Sequence, residues 1–250
     1  LECVCDGAEI TVLLNGIVVN RALHAQPAAG RIQIQSEGAE VLVRRADLAP
    51  LGAPLAPAPE TATPYLLVAN KHEDTLSFIN PVTLNIVKTI DTGPNPHEMV
   101  ITPGQRFAYL SNYAPPGDTI SVIDLRAQRH IKQISTGEYT RIHGAAMAPG
   151  GEHAYFTAGQ SGYVVEVDTT TNTVTRGIPT HGKISHMVLV SPDGERLYTA
   201  NIASENVSVL DRRSGELLTQ VPCGSGVEGM AFTPDGKRLW AANQTGGSIT

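Results

Sequence analysis

From Tyr65 onward, short stretches in which apolar and polar residues alternate are separated by turns at a nearly constant interval. Alternation with a period of two predicts β-strands that bury one face. Pro-Gly-type turns begin at Pro103, Pro149, Pro192 and Pro234, at intervals of 46, 43 and 42 residues. In the same phase, a polar residue closes an apolar strand at Asn80, Asp124, Asp168 and Asp211. A period of roughly 40–50 residues with this content is typical of β-propeller blades.

Two strand motifs recur within this period. One ends on asparagine, as in Leu197-Tyr198-Thr199-Ala200-Asn201, and the next ends on aspartate, as in Asn206-Val207-Ser208-Val209-Leu210-Asp211. Together with the Pro-Asp-Gly turns, these motifs resemble the YVTN family of propeller repeats over residues 65–250. The resemblance implies an all-β fold. Because seven blades need roughly 300 residues at this period, we expect an incomplete propeller of about four and a half blades.

Residues 1–51 also alternate, but without the propeller period. Asn15-Gly16 separates residues 9–14 from residues 17–20 and is a two-residue turn typical of β-hairpins. Further motifs of this segment are Val4-Cys5-Asp6-Gly7, Leu14-Asn15-Gly16, Gly30-Arg31-Ile32-Gln33-Ile34-Gln35, Ser36-Glu37-Gly38 and Arg44. In order and spacing they resemble the C-terminal part of the 3-keto-disaccharide hydrolase domain, a concanavalin-like jelly-roll family. We therefore expect a partial jelly-roll or β-sandwich segment here.

Residues 52–64 are rich in proline, at Pro54, Pro57, Pro59 and Pro64. Such a composition favours an extended, semi-rigid spacer over a folded element. The predicted organisation is thus a jelly-roll segment over residues 1–51, a linker over 52–64 and a truncated propeller over 65–250.

Composition and charge narrow the class of partner. The 250 residues carry a formal net charge of −6, with 17% charged residues and no cluster of lysine and arginine. Nucleic acid is therefore not expected as a partner. No apolar run approaches the roughly 20 residues that a transmembrane helix needs.

The sequence is expected to be a fragment. Leu1 is not an initiator methionine, and residues 247–250 stop inside a strand whose counterparts continue to Asp or Asn. Any export signal would lie upstream and is not visible. Both family resemblances imply an extracytoplasmic bacterial protein, either periplasmic or secreted.

A histidine or glutamate stands six residues before each Pro-Gly-type turn, namely His97, His143, His186 and Glu228. In a propeller the segment before this turn is the innermost strand, and radial repetition brings equivalent positions of successive blades together. We therefore predict a binding site at the hub. The strand-end residues Asn112 and Asn201 are predicted on the same face and are included in that site. A short amide at a strand end can also serve a purely structural role, by satisfying backbone groups of the next turn.

The chemistry of the hub leaves alternatives open. Neutral imidazoles suit Zn, Cu or Fe, so His97, His143 and His186 are candidate ligands of a transition metal. The interpretation that the sequence favours is a polar ring that lines a water-filled channel, with each histidine hydrogen-bonded to a neighbouring loop. A third interpretation is a contact surface for an unknown small molecule, peptide or protein.

The jelly-roll resemblance supplies a second candidate site. It implies that Gln35, Glu37 and Arg44 contact a carbohydrate, with Glu37 as the candidate catalytic acid/base. A second carboxylate of the kind that glycosidases pair with the first cannot be placed in the sequence.

Two functions therefore compete. In the favoured one, a carbohydrate-active, 3-keto-glycoside hydrolase-like segment is joined to a propeller that acts as a ligand- or protein-binding scaffold. In the other, the propeller hub is itself a metal-dependent or redox catalytic site that uses its convergent histidines. Fold alone does not decide between them, because propellers host both kinds of function.

Overall fold

The computed structural model describes residues 65–250 with their side chains and, before them, the backbone of three strands. These strands are β1 (Glu2–Asp6), β2 (Glu9–Leu14) and β3 (Ile17–Ala22). They form an antiparallel sheet in the order β1-β2-β3, with Leu14 opposite Ile17. This pairing confirms the predicted hairpin. The linker and the candidate carbohydrate residues Gln35, Glu37 and Arg44 lie outside the described residues, so their predictions stand untested.

Residues 65–250 form five sheets. The first is β4 (Leu66–Asn70), β5 (Thr75–Ile79) and β6 (Ile86–Asp91). The second is β7 (Pro96–Ile101), β8 (Phe107–Asn112), β9 (Thr119–Asp124) and β10 (Arg129–Ser135). The third is β11 (Ile142–Met147), β12 (His153–Ala158), β13 (Tyr163–Asp168) and β14 (Thr173–Pro179). The fourth is β15 (Ser185–Val190), β16 (Arg196–Asn201), β17 (Asn206–Asp211) and β18 (Leu217–Pro222), and the fifth is β19 (Val227–Phe232), β20 (Leu239–Asn243) and β21 (Ser248–Ile249).

Each sheet is one blade of an incomplete β-propeller. Strands follow one another across each sheet in chain order, and the second to fifth sheets are antiparallel. The first strands of these four blades, β7, β11, β15 and β19, contact one another in that order. The predicted all-β fold is confirmed. The described helical structure is one short turn, Ile202–Ser204, and no described helix has the length and apolar character needed to span a membrane.

The chain divides into two compact units. One contains Leu1–Val68 and Phe78–Val87, and the other contains Ala69–Ser77 and Lys88–Thr250. The candidate hub residues all belong to the second unit. Its apolar core lies between neighbouring blades, where fully buried Tyr109 and Ile120 of the second blade meet Phe156 and Val165 of the third.

The polar residue that closes a strand caps the turn that follows it, and this happens in four blades. Asp124 accepts hydrogen bonds from the backbone N–H groups of Arg126 at 3.0 Å and Ala127 at 2.9 Å. Equivalent caps are formed by Asn80, Asp168 and Asp211. The predicted turn role of these residues is confirmed.

The Pro-Gly-type turns of successive blades stack on one another. Gly151 has φ +80°, and a Cβ atom there would lie 2.5 Å from Cδ of Pro103 in the preceding blade. Gly236 has φ +68°, and its Cβ would lie 2.9 Å from Pro192. A left-handed backbone and this close contact both require glycine, which explains why proline and glycine recur at a fixed interval.

The recurring strand-end asparagines hold each blade together internally. Asn201 is fully buried, and its Oδ1 accepts hydrogen bonds from Ser185 Oγ at 2.7 Å and Thr199 Oγ1 at 3.2 Å. Its Nδ2 donates to Asn206 Oδ1 and Ser208 Oγ, both at 2.8 Å. The same donor pattern recurs at Asn70, Asn112 and Asn243.

These hydrogen bonds bear on two residues of the predicted hub site. Asn112 and Asn201 were expected to contribute to the hub site, but their amides are engaged by hydroxyl and amide groups of their own blades. A short amide at a strand end is well suited to bond the next strand. We therefore assign both residues a structural role.

Replacing Asn201 by alanine should lower the free energy of unfolding by roughly 2–4 kcal/mol, because several buried polar groups lose their partner at once. Chemical denaturation measures this loss. Asn85→Ala, at an exposed position, is the matched control and should change stability little. Equal denaturation midpoints for the two variants would contradict the structural role.

Candidate functional site

Each predicted hub residue lies in a β-bulge at the beginning of the innermost strand. In the second blade the register shifts between Pro96 and Met99, so that His97 and Glu98 fall inside the bulge. Equivalent shifts enclose His143, His186 and Glu228. A bulge bends the strand and changes the direction of its side chains. The same β-bulge therefore sets the direction of one side chain in each of these four blades.

A left-handed residue precedes each bulge by the same distance. The residue two positions before the hub position has a positive φ in every one of these blades: Asn95 at 55°, Arg141 at 60°, Ile184 at 53° and Gly226 at 71°. Positive φ is rare for residues with a side chain and most unusual for a β-branched one such as Ile184. The chain thus enters the four innermost strands in the same way.

Three imidazole rings pack on one another in a row, which we call the stack, with neighbouring planes tilted by 49° and 38°. The ring centroids of His97 and His143 are 4.0 Å apart, and those of His143 and His186 are 3.8 Å apart. At the end of the stack, Nε2 of His186 lies 3.4 Å from Oε1 of Glu228. His143 in the middle is only 3% exposed and His97 is 9% exposed. The structure thus brings all four predicted residues together.

Gly144 makes this close approach possible. A Cβ atom at Gly144 would lie 2.4 Å from the backbone oxygen of His186 and 2.7 Å from Cα of Met187. Its N–H, displaced from the ladder by the bulge, donates to Thr157 Oγ1 at 2.8 Å. Thr157 Oγ1 in turn donates to the backbone oxygen of His186 at 2.6 Å. The neighbouring blades are therefore tied together directly behind the stacked rings.

Sequence reasoning missed three residues at the edge of the stack. Lys71 Nζ lies 2.7 Å from Nε2 of His97. The Tyr113 ring stands edge-on to His97 and His143, with centroid distances of 5.1 Å to each. The guanidinium of Arg141 lies 3.8 Å from the centre of the Tyr113 ring. Lys71 and Tyr113 each follow a strand-end asparagine, and Arg141 precedes a hub histidine, but none of these residue types recurs at the same position in the other blades. The period of the sequence therefore gave no signal for them.

Glu98 is the fourth missed residue. Strict alternation along a strand would place it on the opposite face from His97, but the bulge brings Glu98 Oε1 within 3.7 Å of His97 Nδ1. The Glu98 side chain is buried. His97, Glu98 and His143 each offer a ligand atom, and these atoms lie within 4.8 Å of one another. Within residues 65–250 this is the group whose spacing suits a metal ion.

The predicted ligand set is thereby revised. His97, His143 and His186 were the candidate ligands, but the group with metal-compatible spacing contains Glu98 in place of His186. His186 instead stacks on His143 and pairs with Glu228. The buried Nδ1 atoms of His97 and His143 have no hydrogen-bond partner among the described residues, which leaves both nitrogens available to a ligand.

Burial keeps the central ring neutral. Desolvation, with smaller contributions from the neighbouring His186, His97 and Lys71, lowers the pKa of His143 from 6.5 to about 2. A neutral imidazole retains a lone pair on one nitrogen, which is the form that binds a metal. The environment therefore holds His143 in its ligand form throughout the physiological range.

Comparison with known proteins supports the fold. No protein-family model and no curated protein matches the chain. Among solved structures, it is similar to hydrazine synthase of Kuenenia stuttgartiensis, with a TM-score of 0.65, 25% identity and coverage of 71% of this chain and 51% of that chain. It is also similar to a functionally unknown protein from Desulfotomaculum acetoxidans DSM 771, with a TM-score of 0.63, 16% identity and coverage of 74% and 64%. The chain spans about half of the first protein and less than two thirds of the second, and both likenesses support a β-propeller.

The imidazole of His143 should not titrate in the folded protein between about pH 7 and pH 4.5, where an unperturbed histidine takes up its proton. Because the unfolded chain binds that proton and the folded chain does not, this residue's contribution to stability should decline as the pH falls below about 6.5. NMR of the ring C–H resonances measures the titration, with the urea-unfolded protein as the reference. A resonance of folded His143 that moves with a midpoint near 6.5 would contradict the buried stack.

Gly144→Ala should reduce the free energy of unfolding by about 1–3 kcal/mol, because the new methyl group forces the innermost strands apart. Gly229→Ala is a matched control at the equivalent position of the fifth blade, where the nearest atom to the added Cβ, in Ala242, is 4.0 Å away. Both changes restrict the unfolded chain equally. Denaturation of the two variants isolates the effect of the contact, and equal midpoints would refute it.

Proposed function

We propose that the propeller is a metal-binding module, in which His97, Glu98 and His143 hold one transition-metal ion at the hub. The single observation that carries the proposal is the buried group of two imidazoles and one carboxylate with ligand atoms within 4.8 Å. Two histidines with one carboxylate are typical of catalytic zinc sites and of non-haem Fe(II) sites. Of the two functions that the sequence left open, this geometry favours the metal-holding hub.

The distances between the ligand atoms of this group are close to those found around a bound metal ion. Metal–nitrogen distances are about 2.0–2.1 Å, so two ligand atoms on one ion are at most about 4.2 Å apart. His97 Nδ1 and Glu98 Oε1 are already 3.7 Å apart. The ligand atoms of the whole group lie within 4.8 Å of one another, so binding an ion requires the side chains to draw together by about 0.6 Å at most.

The surroundings also suit a ligand set. His186 packs on His143, with ring centroids 3.8 Å apart, and is itself paired with Glu228, so it helps to fix the orientation of a ligand without being one. Partners of this kind around a metal commonly affect its affinity by a factor of roughly 10–100. We assign His186 and Glu228 this positioning role.

The functions inferred for residues 1–51 remain predictions. A carbohydrate-active role for Gln35, Glu37 and Arg44, and an extracytoplasmic location of the protein, are supported by the sequence motifs alone. A scaffold that binds a partner at the propeller face is compatible with a metal at the hub.

Metal binding is tested on the chelator-treated 250-residue protein by adding Zn(II), Cu(II) or, without oxygen, Fe(II) and measuring bound metal by mass spectrometry. We expect one equivalent of at least one of these metals. His143→Ala and Glu98→Gln should each lose it, because a site with two ligands left binds weakly. His186→Asn should retain stoichiometry, with affinity reduced by about tenfold or more.

The control is His130→Ala. His130 lies on the outer strand β10, where its Nε2 bonds the backbone oxygen of Lys132, so its loss should leave metal binding unchanged. The proposal is overturned if the wild-type protein takes up none of these metals. It is equally overturned if His143→Ala and Glu98→Gln bind as much metal as His130→Ala does.

A further inference from the structure

Two cationic side chains, Lys71 and Arg141, lie beside the hub group of His97, Glu98 and His143. Lys71, Tyr113 and Arg141 are partly exposed, whereas His97 and His143 beside them are buried. The Tyr113 ring carries Arg141 at 3.8 Å and Lys71 at 5.9 Å from its centre. An ammonium and a guanidinium therefore lie on the more exposed side of the buried imidazoles.

A metal at this position would be short of negative charge. A divalent ion together with Lys71 and Arg141 contributes four positive charges, against one negative charge from Glu98. Glu228 lies at the other end of the stack, where it pairs with His186. Lys71 and Arg141 are partly exposed and are screened in part by water, but the ion itself would lie among buried groups, where unbalanced charge is costly and is normally met by a counter-charge. The cluster thus favours an additional anion.

The contact between Lys71 and His97 adds to this shortage. The Lys71 ammonium can donate to Nε2 of His97 only while that nitrogen carries a lone pair. When Nδ1 of His97 binds a metal, the neutral ring carries its proton on Nε2. The ammonium then loses its acceptor on the ring and needs another.

Most N–H donors of the Arg141 guanidinium have no acceptor among the described residues. A guanidinium has five N–H donors in a planar fork that matches an oxyanion. Among the described residues, Arg141 makes one side-chain hydrogen bond, from Nη1 to the backbone oxygen of Tyr113 at 3.5 Å. Stacking on the Tyr113 ring holds the group in place, so most of its donors remain for a ligand.

The metal, too, would have room for a ligand. His97, Glu98 and His143 supply three donor atoms, and catalytic zinc and non-haem iron sites with three protein ligands keep a position open for water or substrate. An ion held here therefore has a free position on which an exogenous oxygen can bind.

We propose that the hub metal binds a small oxyanion, carrying a carboxylate or phosphate group, and that Lys71 and Arg141 bind the oxygen atoms that the metal leaves free. This inference depends on the metal site proposed above and names the class of ligand for it. Three features favour an oxyanion: the excess of positive charge at the site, the Lys71 ammonium that loses its acceptor on His97, and the unused N–H donors of Arg141.

The test uses the protein loaded with Co(II), whose visible spectrum reports a change of ligand. Formate and inorganic phosphate are titrated separately as probes. We expect a saturable spectral change with at least one of them. In Arg141→Met and Lys71→Met the dissociation constant should rise roughly tenfold to a hundredfold, which corresponds to the loss of one charge-assisted hydrogen bond.

Arg126→Met is the matched control, because Arg126 is exposed in a turn between outer strands. It should bind the probe as the wild-type protein does. Binding of formate alone indicates a carboxylate ligand, and binding of phosphate alone indicates a phosphate ligand; either result supports the proposal.

Three results separate the possible failures. If neither Co(II) nor any of the metals tested above binds, the metal site fails and this inference fails with it; if one of those metals binds and Co(II) does not, the same probes are titrated by calorimetry against the protein loaded with that metal. If Co(II) binds but neither probe changes its spectrum, the metal site stands and the oxyanion site is wrong. The oxyanion site is also wrong if Arg141→Met and Lys71→Met, both loaded with Co(II), bind the probe as tightly as Arg126→Met.

Discussion

The site depends on the close approach of the innermost strands at Gly144. With no side chain at this residue, the backbone of β15 lies against β11, and the rings of His143 and His186 come within 3.8 Å of each other. The same contact removes His143 from water, and desolvation then lowers the pKa of its ring. Ring stacking, burial and the neutral state of the central imidazole therefore have one common cause in the backbone.

A second buried polar cluster, outside the hub, surrounds a carboxylate. Glu166, on β13, accepts hydrogen bonds from Thr175 at 2.7 Å, Tyr155 at 3.0 Å and Arg176 at 3.1 Å. Burial raises the pKa of Glu166, but the hydrogen bonds from Thr175 and Arg176 outweigh it, and the pKa is held below its ordinary value. Both carboxylate oxygens have partners within the protein, as expected of a structural network. At the hub, the buried Nδ1 atoms of His97 and His143 have no hydrogen-bond partner among the described residues, but the same is true of His153 Nδ1, which lies 4.0 Å from Glu166 Oε1. Buried polar atoms without partners are costly, and the feature that sets the hub apart is the close grouping of His97, Glu98 and His143.

The period of the sequence was sufficient to predict the blades, because each blade uses the same strand and turn chemistry. It was also sufficient to place His97, His143, His186 and Glu228 at equivalent positions, which the structure brings together. It could not show that Glu98 joins them, because alternation along a strand assigns neighbours to opposite faces and only the bulge overrides this. Nor could it distinguish Asn112 from a hub ligand, since an asparagine at a strand end serves either role until its partners are known. The jelly-roll resemblance of residues 1–51 stays a prediction that rests on sequence motifs.

The repeat gives every blade equivalent positions, whereas a metal site needs residues that differ from blade to blade. The repeat gives every blade the same bulge and the same left-handed entry, so it creates equivalent positions around the hub. A metal group needs positions that differ: the residue after the hub position is Glu98 in the second blade, but Gly144, Met187 and Gly229 in the next three. Glycine there permits close packing, and glutamate there supplies a ligand. Lys71, Tyr113 and Arg141 are likewise residues that the repeat does not require. The functional residues are therefore those at which the blades depart from their common pattern, at a place where the common pattern has already brought the backbones together.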